Sequence, residues 1–142
     1  MSMDYQIVPD KNDVITKWIC KGLNYDENWI TDHITFGFRL NEELIGGLIF
    51  HDYRPQQEIW WTVYSVDKRW CNRRMLRIMF GMAFEVFGCK RISLLVNKSN
   101  SASLNFVKKL GFQQEGMFRA YRDNGEDCCI FGMLKNECKW IK

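Results

Sequence analysis

Residues 59–96 restrict the fold more than any other stretch. Ile59–Val66 is an almost unbroken apolar run, rich in β-branched and aromatic residues. A strand with so little polar interruption belongs in the middle of a sheet, covered on both faces. A basic loop follows. Then Met75, Leu76, Ile78, Met79, Phe80, Met82, Phe84 and Val86 place apolar groups nearly all round a helix. This predicts a deeply packed helix from about Arg73 to Phe87, stopped by Gly88. Arg91–Val96 is again a β-branched run and reads as a strand. A strand–helix–strand of this length joins parallel neighbours, and such crossovers are right-handed.

The rest of the chain supplies antiparallel partners. Tyr5–Val8 reads as a short strand. From Asp13, Val14, Ile15, Trp18, Ile19 and Leu23 recur at helical spacing, and Gly22 and Asn24 stop the helix. Residues 25–33 read equally as a loop or one short helical turn. Ile34–Leu40 and Leu44–Tyr53 form a hairpin about Asn41-Glu42, with Gly46-Gly47 marking a bulge or a close backbone approach. Leu104, Val107 and Leu110 share one side of a helix over 101–110 that Gly111 ends. Phe112–Tyr121, with a kink at Gly116, and Cys128–Leu134 are joined by the turn residues Asp123-Asn124-Gly125. The order is β, α, three antiparallel strands, α, β, α, β, β. The expected fold is α/β (α+β): a mixed, mostly antiparallel central sheet with helices on both faces, in a single domain over residues 1–142.

Composition removes several functions. Apolar residues make up 46% and aromatic residues 15% of the chain, which excludes a disordered segment. A formal charge of +3 suits anionic ligands but falls short of a dedicated nucleic-acid binder. The six cysteines form no C-x-x-C pair and lie far from His33 and His51. Cys128 and Cys129 are adjacent on a strand and point to opposite faces. No metal site is expected, and reduced cysteines in a reducing compartment are. With no apolar leader and no run of about 18 apolar residues, a cytoplasmic location without membrane contact is expected.

Five cations, Lys68, Arg69, Arg73, Arg74 and Arg77, crowd the start of the helix that follows Val66. Cations oppose the macrodipole there. An anion held by free backbone N–H groups and these side chains would resolve the conflict; a solvated basic loop is the alternative. Trp70 is the one obvious stacking aromatic among them, so no nucleic-acid partner is expected.

Three motifs resemble the GNAT acetyltransferase superfamily, and most nearly its ribosomal-protein-alanine N-acetyltransferase-like branch, over residues 34–140. The first is the strand ending at Val66, followed by Arg69-Trp70 and the loop–helix signature [Q/R]-x-x-G-x-[G/A] at residues 71–76. The three signature positions depart, with Cys71 for Gln or Arg, Arg74 for Gly and Leu76 for Gly or Ala. The second is Asn100-Ser101-Ala102-Ser103 with Lys108-Lys109-Leu110-Gly111-Phe112, matching N-x-x-S…K-L-G-F. The third is DNGEDCCIFGMLKNE, which resembles the closing hairpin of that branch, ending in L-x-x-E-[WC].

The resemblance implies direct attack of a primary amine (protein N-terminus, lysine or small molecule) on acetyl-CoA, the sole co-substrate, with no metal. It places the pantetheine arm along Tyr64, Ser65 and Val66, and at Asn100. The pyrophosphate falls on the 71–76 turn of Cys71, Asn72, Arg73, Arg74, Met75 and Leu76. Arg73 and Arg74 then compensate by charge for the missing glycines. Where many members put a Tyr as the acid for the leaving thiolate, this chain has Phe106, so the role falls to Ser103. The common Glu base position is Trp60 here; Glu58, two residues earlier on the same strand face, is the candidate base, and His51 is also able to take a proton near neutral pH. Trp29, Trp60 and Trp61 are candidates to line the acceptor pocket. A catalytically degenerate domain acting as a CoA-binding, protein-binding or inhibitory module is the competing reading. Monomer and homodimer both fit, and the basic net charge argues against a polycationic acceptor.

Overall fold

The computed structural model describes residues 3–142. The chain folds into β1 (Tyr5–Pro9), α1 (Val14–Leu23), β2 (His33–Leu40), β3 (Glu43–Arg54), β4 (Glu58–Ser65), α2 (Arg73–Gly81), β5 (Arg91–Asn97), α3 (Ser101–Leu110), β6 (Gln113–Phe118) and β7 (Cys128–Leu134). The strands form one mixed, mostly antiparallel sheet in the order β1-β2-β3-β4-β5-β7-β6. The apolar run at 59–66 thus becomes the fourth of seven strands, the central place its composition predicts. Residues 25–33 contain a single 3₁₀ turn, Glu27–Trp29, capped by the Asp26 side chain.

Two compact units divide the chain: residues up to Asp52 with Trp61–Leu76, and Tyr53–Trp60 with Arg77–Lys142. In the first, β1–β2 and β2–β3 are antiparallel. Asn41 and Glu42 both take positive φ (51° and 73°), as a two-residue primed hairpin turn needs. The register slips between Phe38 and Arg39, opposite Gly46 and Leu44, so Ile45 is an extra residue. Gly46 and Gly47, directly after the bulge, allow close approach on both faces. A Cβ on Gly47 would lie 2.6 Å from Ile19 of α1, and one on Gly46 would lie 3.0 Å from Trp70. These neighbours show that alternate β3 residues meet α1 on one face and Trp70 on the other. Ile15, Ile19, Cys20 and Ile49 make the core on the α1 face, with Trp18 and Tyr64 packed against it.

In the second unit, β5–β7 and β6–β7 are antiparallel. The N–H groups of Lys90 and Arg91 both donate to the Gln57 carbonyl (2.9 and 3.2 Å), so β4 and β5 start from the same edge, as a parallel crossover requires. The predicted helix to Phe87 is not uniform. It is α-helical through Gly81 and then widens into π turns over Met82–Val86, with Phe87 N–H bonded to the Met82 carbonyl at 2.8 Å. The widening lets Ala83 and Phe84 both turn inward to full burial, while Gly88 closes the helix at φ 66°. β6 is shorter than expected and has its irregularity at Gln114–Gly116, beside the glycine that predicted it. The closing L-x-x-E string is structural: Glu137 accepts the Leu134 N–H (2.8 Å) and the Gln113 amide (2.8 Å), which fastens the end of β7 to the start of β6.

Candidate active site

The basic turn begins where β4 ends. The Tyr64 ring packs edge-on against Trp18 (5.1 Å) and occupies the space above Gly22, where a Cβ would come within 2.2 Å of it. Ser65 is half-buried and Val66 is exposed. Val66 is not a free donor, because its N–H bonds to the bulged Ile45 carbonyl at 2.9 Å. A 3₁₀ turn, Lys68–Trp70, follows, with Asp67 capping it through the Arg69 N–H (2.9 Å) and gripping the Arg69 guanidinium (2.7 Å). These bonds hold the Asp67 carboxyl down to about 2. The folded pKa lies below the unfolded value near 3.8, so the stability Asp67 adds is complete above that value and is lost as pH falls through the interval toward 2. Asp67→Asn should therefore lose less Tm than the parent protein between about pH 5 and pH 2.

Of the five cations, Arg69 is thus paired with Asp67, and Arg77 is paired with Glu85 (2.7 Å). Among the described residues Lys68, Arg73 and Arg74 are exposed and enter no ion pair. Asn72 caps α2. Its side-chain oxygen accepts the Met75 N–H (2.9 Å) and its carbonyl accepts the Leu76 N–H (3.0 Å). Met75 and Leu76 are buried (0% and 5% exposed), and Asn72 accepts both of their N–H groups. Asn72 spends its side-chain oxygen on the cap. Cys71 is half-buried, and burial pushes its thiol up to about 11, so it stays protonated near neutral pH. The first turn at Arg73 and Arg74 faces outward, with its N–H groups and two guanidiniums that enter no ion pair among the described residues. Trp70 is 4% exposed and packs on Phe38 (5.4 Å), so it is not available to stack on a base.

In the second unit, Asn100 caps α3 by accepting the Ser103 N–H (3.1 Å). Its side-chain oxygen is thereby committed, and its amide nitrogen makes no hydrogen bond among the described residues. Ser103 stands half-buried in the first turn, and its hydroxyl makes no hydrogen bond among the described residues. Gly111 ends the helix at φ 112°, which is why the K-L-G-F string needs glycine there. Glu58 is engaged on both oxygens. One accepts the Ser93 hydroxyl (2.6 Å) and lies 3.5 Å from Arg91, and the other accepts Arg54 Nε (3.2 Å). Ser93 is 1% exposed, so Glu58 satisfies a buried hydroxyl and pairs two guanidiniums.

The candidate acceptor aromatics also separate. Trp61 is 3% exposed and packs edge-on against Phe50 (6.1 Å), which makes it core. Trp60 is half-buried. Trp29 is 42% exposed and sets its ring edge-on to His51 at 5.1 Å, with Tyr25 behind it at 6.4 Å. His51 is 7% exposed. Its Nδ1 donates to Asp52 Oδ2 at 2.6 Å, and its Nε2 accepts from the Thr62 hydroxyl at 2.8 Å. Burial lowers the His51 pKa and outweighs the Asp52 carboxylate that would raise it, so the ring is neutral at pH 7. Thr62 was not a candidate from sequence. The only available signal is parity: it lies two residues before Tyr64 on the same face of β4.

Among the described residues no cluster of three or more His, Cys, Asp or Glu side chains is arranged to hold a metal, and no helix is long and apolar enough to cross a membrane.

The Acetyltransferase (GNAT) domain family model matches residues 2–113 of this chain. This chain belongs to the GNAT acetyltransferase family and is an enzyme of the N-acetyltransferase type. No curated protein matches it in sequence. Among solved structures it is similar to a single-site variant of the spermidine N-acetyltransferase SpeG from Vibrio cholerae, at 12% identity and TM-score 0.73 over 97% of this chain and 96% of that one. It is likewise similar to a GNAT family acetyltransferase from Elizabethkingia anophelis with acetyl-CoA bound, at 12% identity and TM-score 0.72 over 92% and 97% of the two chains. At such identities the likeness is one of fold.

Proposed function

We infer that this chain, as one GNAT domain over residues 1–142, transfers the acetyl group of acetyl-CoA to a primary amine. The observation that carries the reading is the start of α2. The Asn72 cap satisfies Met75 and Leu76 and leaves Arg73 and Arg74 as the first turn, exposed and, among the described residues, outside any ion pair. A pyrophosphate suits that turn through the helix dipole, two N–H groups and two guanidiniums. The charge of the arginines replaces the closer approach that glycine gives other members. The resemblance gives the pantetheine arm to Tyr64, Ser65 and Val66 at the end of β4 in the first unit, and to Asn100 in the second. Ser103, whose hydroxyl is otherwise uncommitted, protonates the departing thiolate. Glu58 is left a structural role. The N-x-x-S string and closing hairpin support the alanine-acetylating branch, with protein N-termini, lysine and small amines as the acceptor classes. Such an enzyme works in the cytoplasm, as a monomer or a homodimer.

Acetyl-CoA at 100 times its Kd should stabilise the fold by about 2.7 kcal/mol, read as a rise in Tm that grows with ligand concentration. Ser103→Ala should keep that shift and lose about 10- to 100-fold in kcat, since a positioned general acid contributes on that order or more. A Tm indifferent to acetyl-CoA would remove the reading, and a Ser103→Ala enzyme with unchanged kcat would remove the serine from it.

A further inference from the structure

The Asp52–His51–Thr62 chain has no part in the function as read so far, and the backbone is distorted to make it. In a regular strand neighbouring residues point to opposite faces, so Asp52 should face away from His51. Asp52 instead takes φ 49°, a left-handed conformation rare for a side-chain-bearing residue, and this brings its carboxylate back to its neighbour's Nδ1 at 2.6 Å. A buried histidine needing only satisfaction would be served by a backbone carbonyl. Here one nitrogen is given a carboxylate whose side chain is 67% exposed, and the other is given a hydroxyl.

Position points the same way. Thr62 is half-buried and shares its face of β4 with Tyr64, on the strand assigned above to the pantetheine arm. Beside the imidazole stands Trp29, an exposed aromatic able to cover the alkyl part of an amine. The other titratable group facing His51 is His33, its cross-strand partner, which is engaged by the Thr31 carbonyl and by Asp13 (2.8 Å each).

Resting on the acetyl-transfer reading, we propose that Thr62 and His51 form the proton-accepting relay for the amine acceptor, with Asp52 as its positioning residue. As the amine nitrogen bonds to the acetyl carbon and the carbon–sulfur bond breaks, the amine gives one proton to Thr62 Oγ1. Thr62 passes its own hydroxyl proton to His51 Nε2. The sulfur leaves with the bonding electron pair and takes the Ser103 hydroxyl proton, which Ser103 regains from water. The Asp52 carboxylate holds the imidazolium through Nδ1, and Nε2 returns its proton through Thr62 to water between turnovers, which restores the resting tautomer.

The test is the pH dependence of kcat and KM with acetyl-CoA and the best amine from a panel of an alanine-initiated peptide, a lysine peptide and spermidine. The parent enzyme should show a rising limb with its midpoint below about 6.5, the ordinary histidine value. His51→Gln and Thr62→Val should each lose about 100-fold or more in kcat, the glutamine variant also losing the limb, with acetyl-CoA affinity and Tm held. Thr62→Ser, which keeps the hydroxyl, should recover most of the rate. Asp52→Asn should move the limb to lower pH, because the carboxylate raises the His51 pKa. A parent enzyme that transfers acetyl to no amine overturns the function and the relay together. An active parent matched by His51→Gln in rate and profile overturns the relay alone, and so does a rate that falls only in step with Tm.

Discussion

Replacing Arg73 and Arg74 together by alanine is expected to weaken acetyl-CoA binding by about 10- to 100-fold. Both side chains are exposed on the first turn of α2, and among the described residues neither is held by a carboxylate. Their guanidiniums are therefore available to an anion without first breaking an internal pair. Charge-assisted hydrogen bonds contribute roughly 1.5–3 kcal/mol. Exposure and salt keep the combined loss within that range, which converts to the stated factor. Calorimetric titration of acetyl-CoA into the parent and the double variant checks it. The affinity of the parent should fall as salt rises, and that of the variant should fall less. Arg69→Ala is the informative control. Its guanidinium is already bound to Asp67, so its loss should cost much less binding than the loss of the pair. Equal Kd values for the parent and the double variant would return the two arginines to being solvated surface.

Phe80→Ala should cost about 3–5 kcal/mol of folding stability. Phe80 is 0% exposed, stacked on Phe84 (6.4 Å) and Trp140 (6.5 Å) and tilted against Phe112 (6.0 Å). It lies in the last turns of α2, just before the helix widens, and its partners come from the π turns, the residue before β6 and the chain's end. Truncation leaves a hole walled by three rings that cannot all collapse into it. Denaturant unfolding should show a lower midpoint with an unchanged slope. A loss below about 1 kcal/mol would mean that the rings repack and that the cluster is not the anchor of this unit.

The fold was legible where pattern and physics agree. The apolar run at 59–66 announced a central strand because a strand covered on both faces cannot alternate. Asn24, Asn41-Glu42, Gly88 and Gly111 announced ends and turns because those positions take φ values that few other residues accept. The π turns at Met82–Val86 were not legible, since inward apolar residues look alike whether the turn holds four or five residues. Motif residues located the start of α2 and the cap of α3, but not how their polar atoms are spent. A string such as Cys71–Leu76 does not say that Asn72 takes the Met75 N–H for its cap and leaves only Arg73 and Arg74 turned outward. Glu58 was chosen by strand parity alone, and parity is blind to Arg54, four residues earlier, and to Ser93 and Arg91 of β5, which engage its oxygens. The same blindness hid Thr62, whose hydroxyl matters only because His51 stands on the neighbouring strand.

Mass-spectrometric detection of acetylated amine, made from acetyl-CoA by the purified chain across the three acceptor classes, tests the function most directly. The expected result is amine-dependent acetylation, matched one for one by free CoA and reduced in parallel by Ser103→Ala. Release of CoA that is independent of amine, or no acetylated product from a chain that still binds acetyl-CoA, would contradict it.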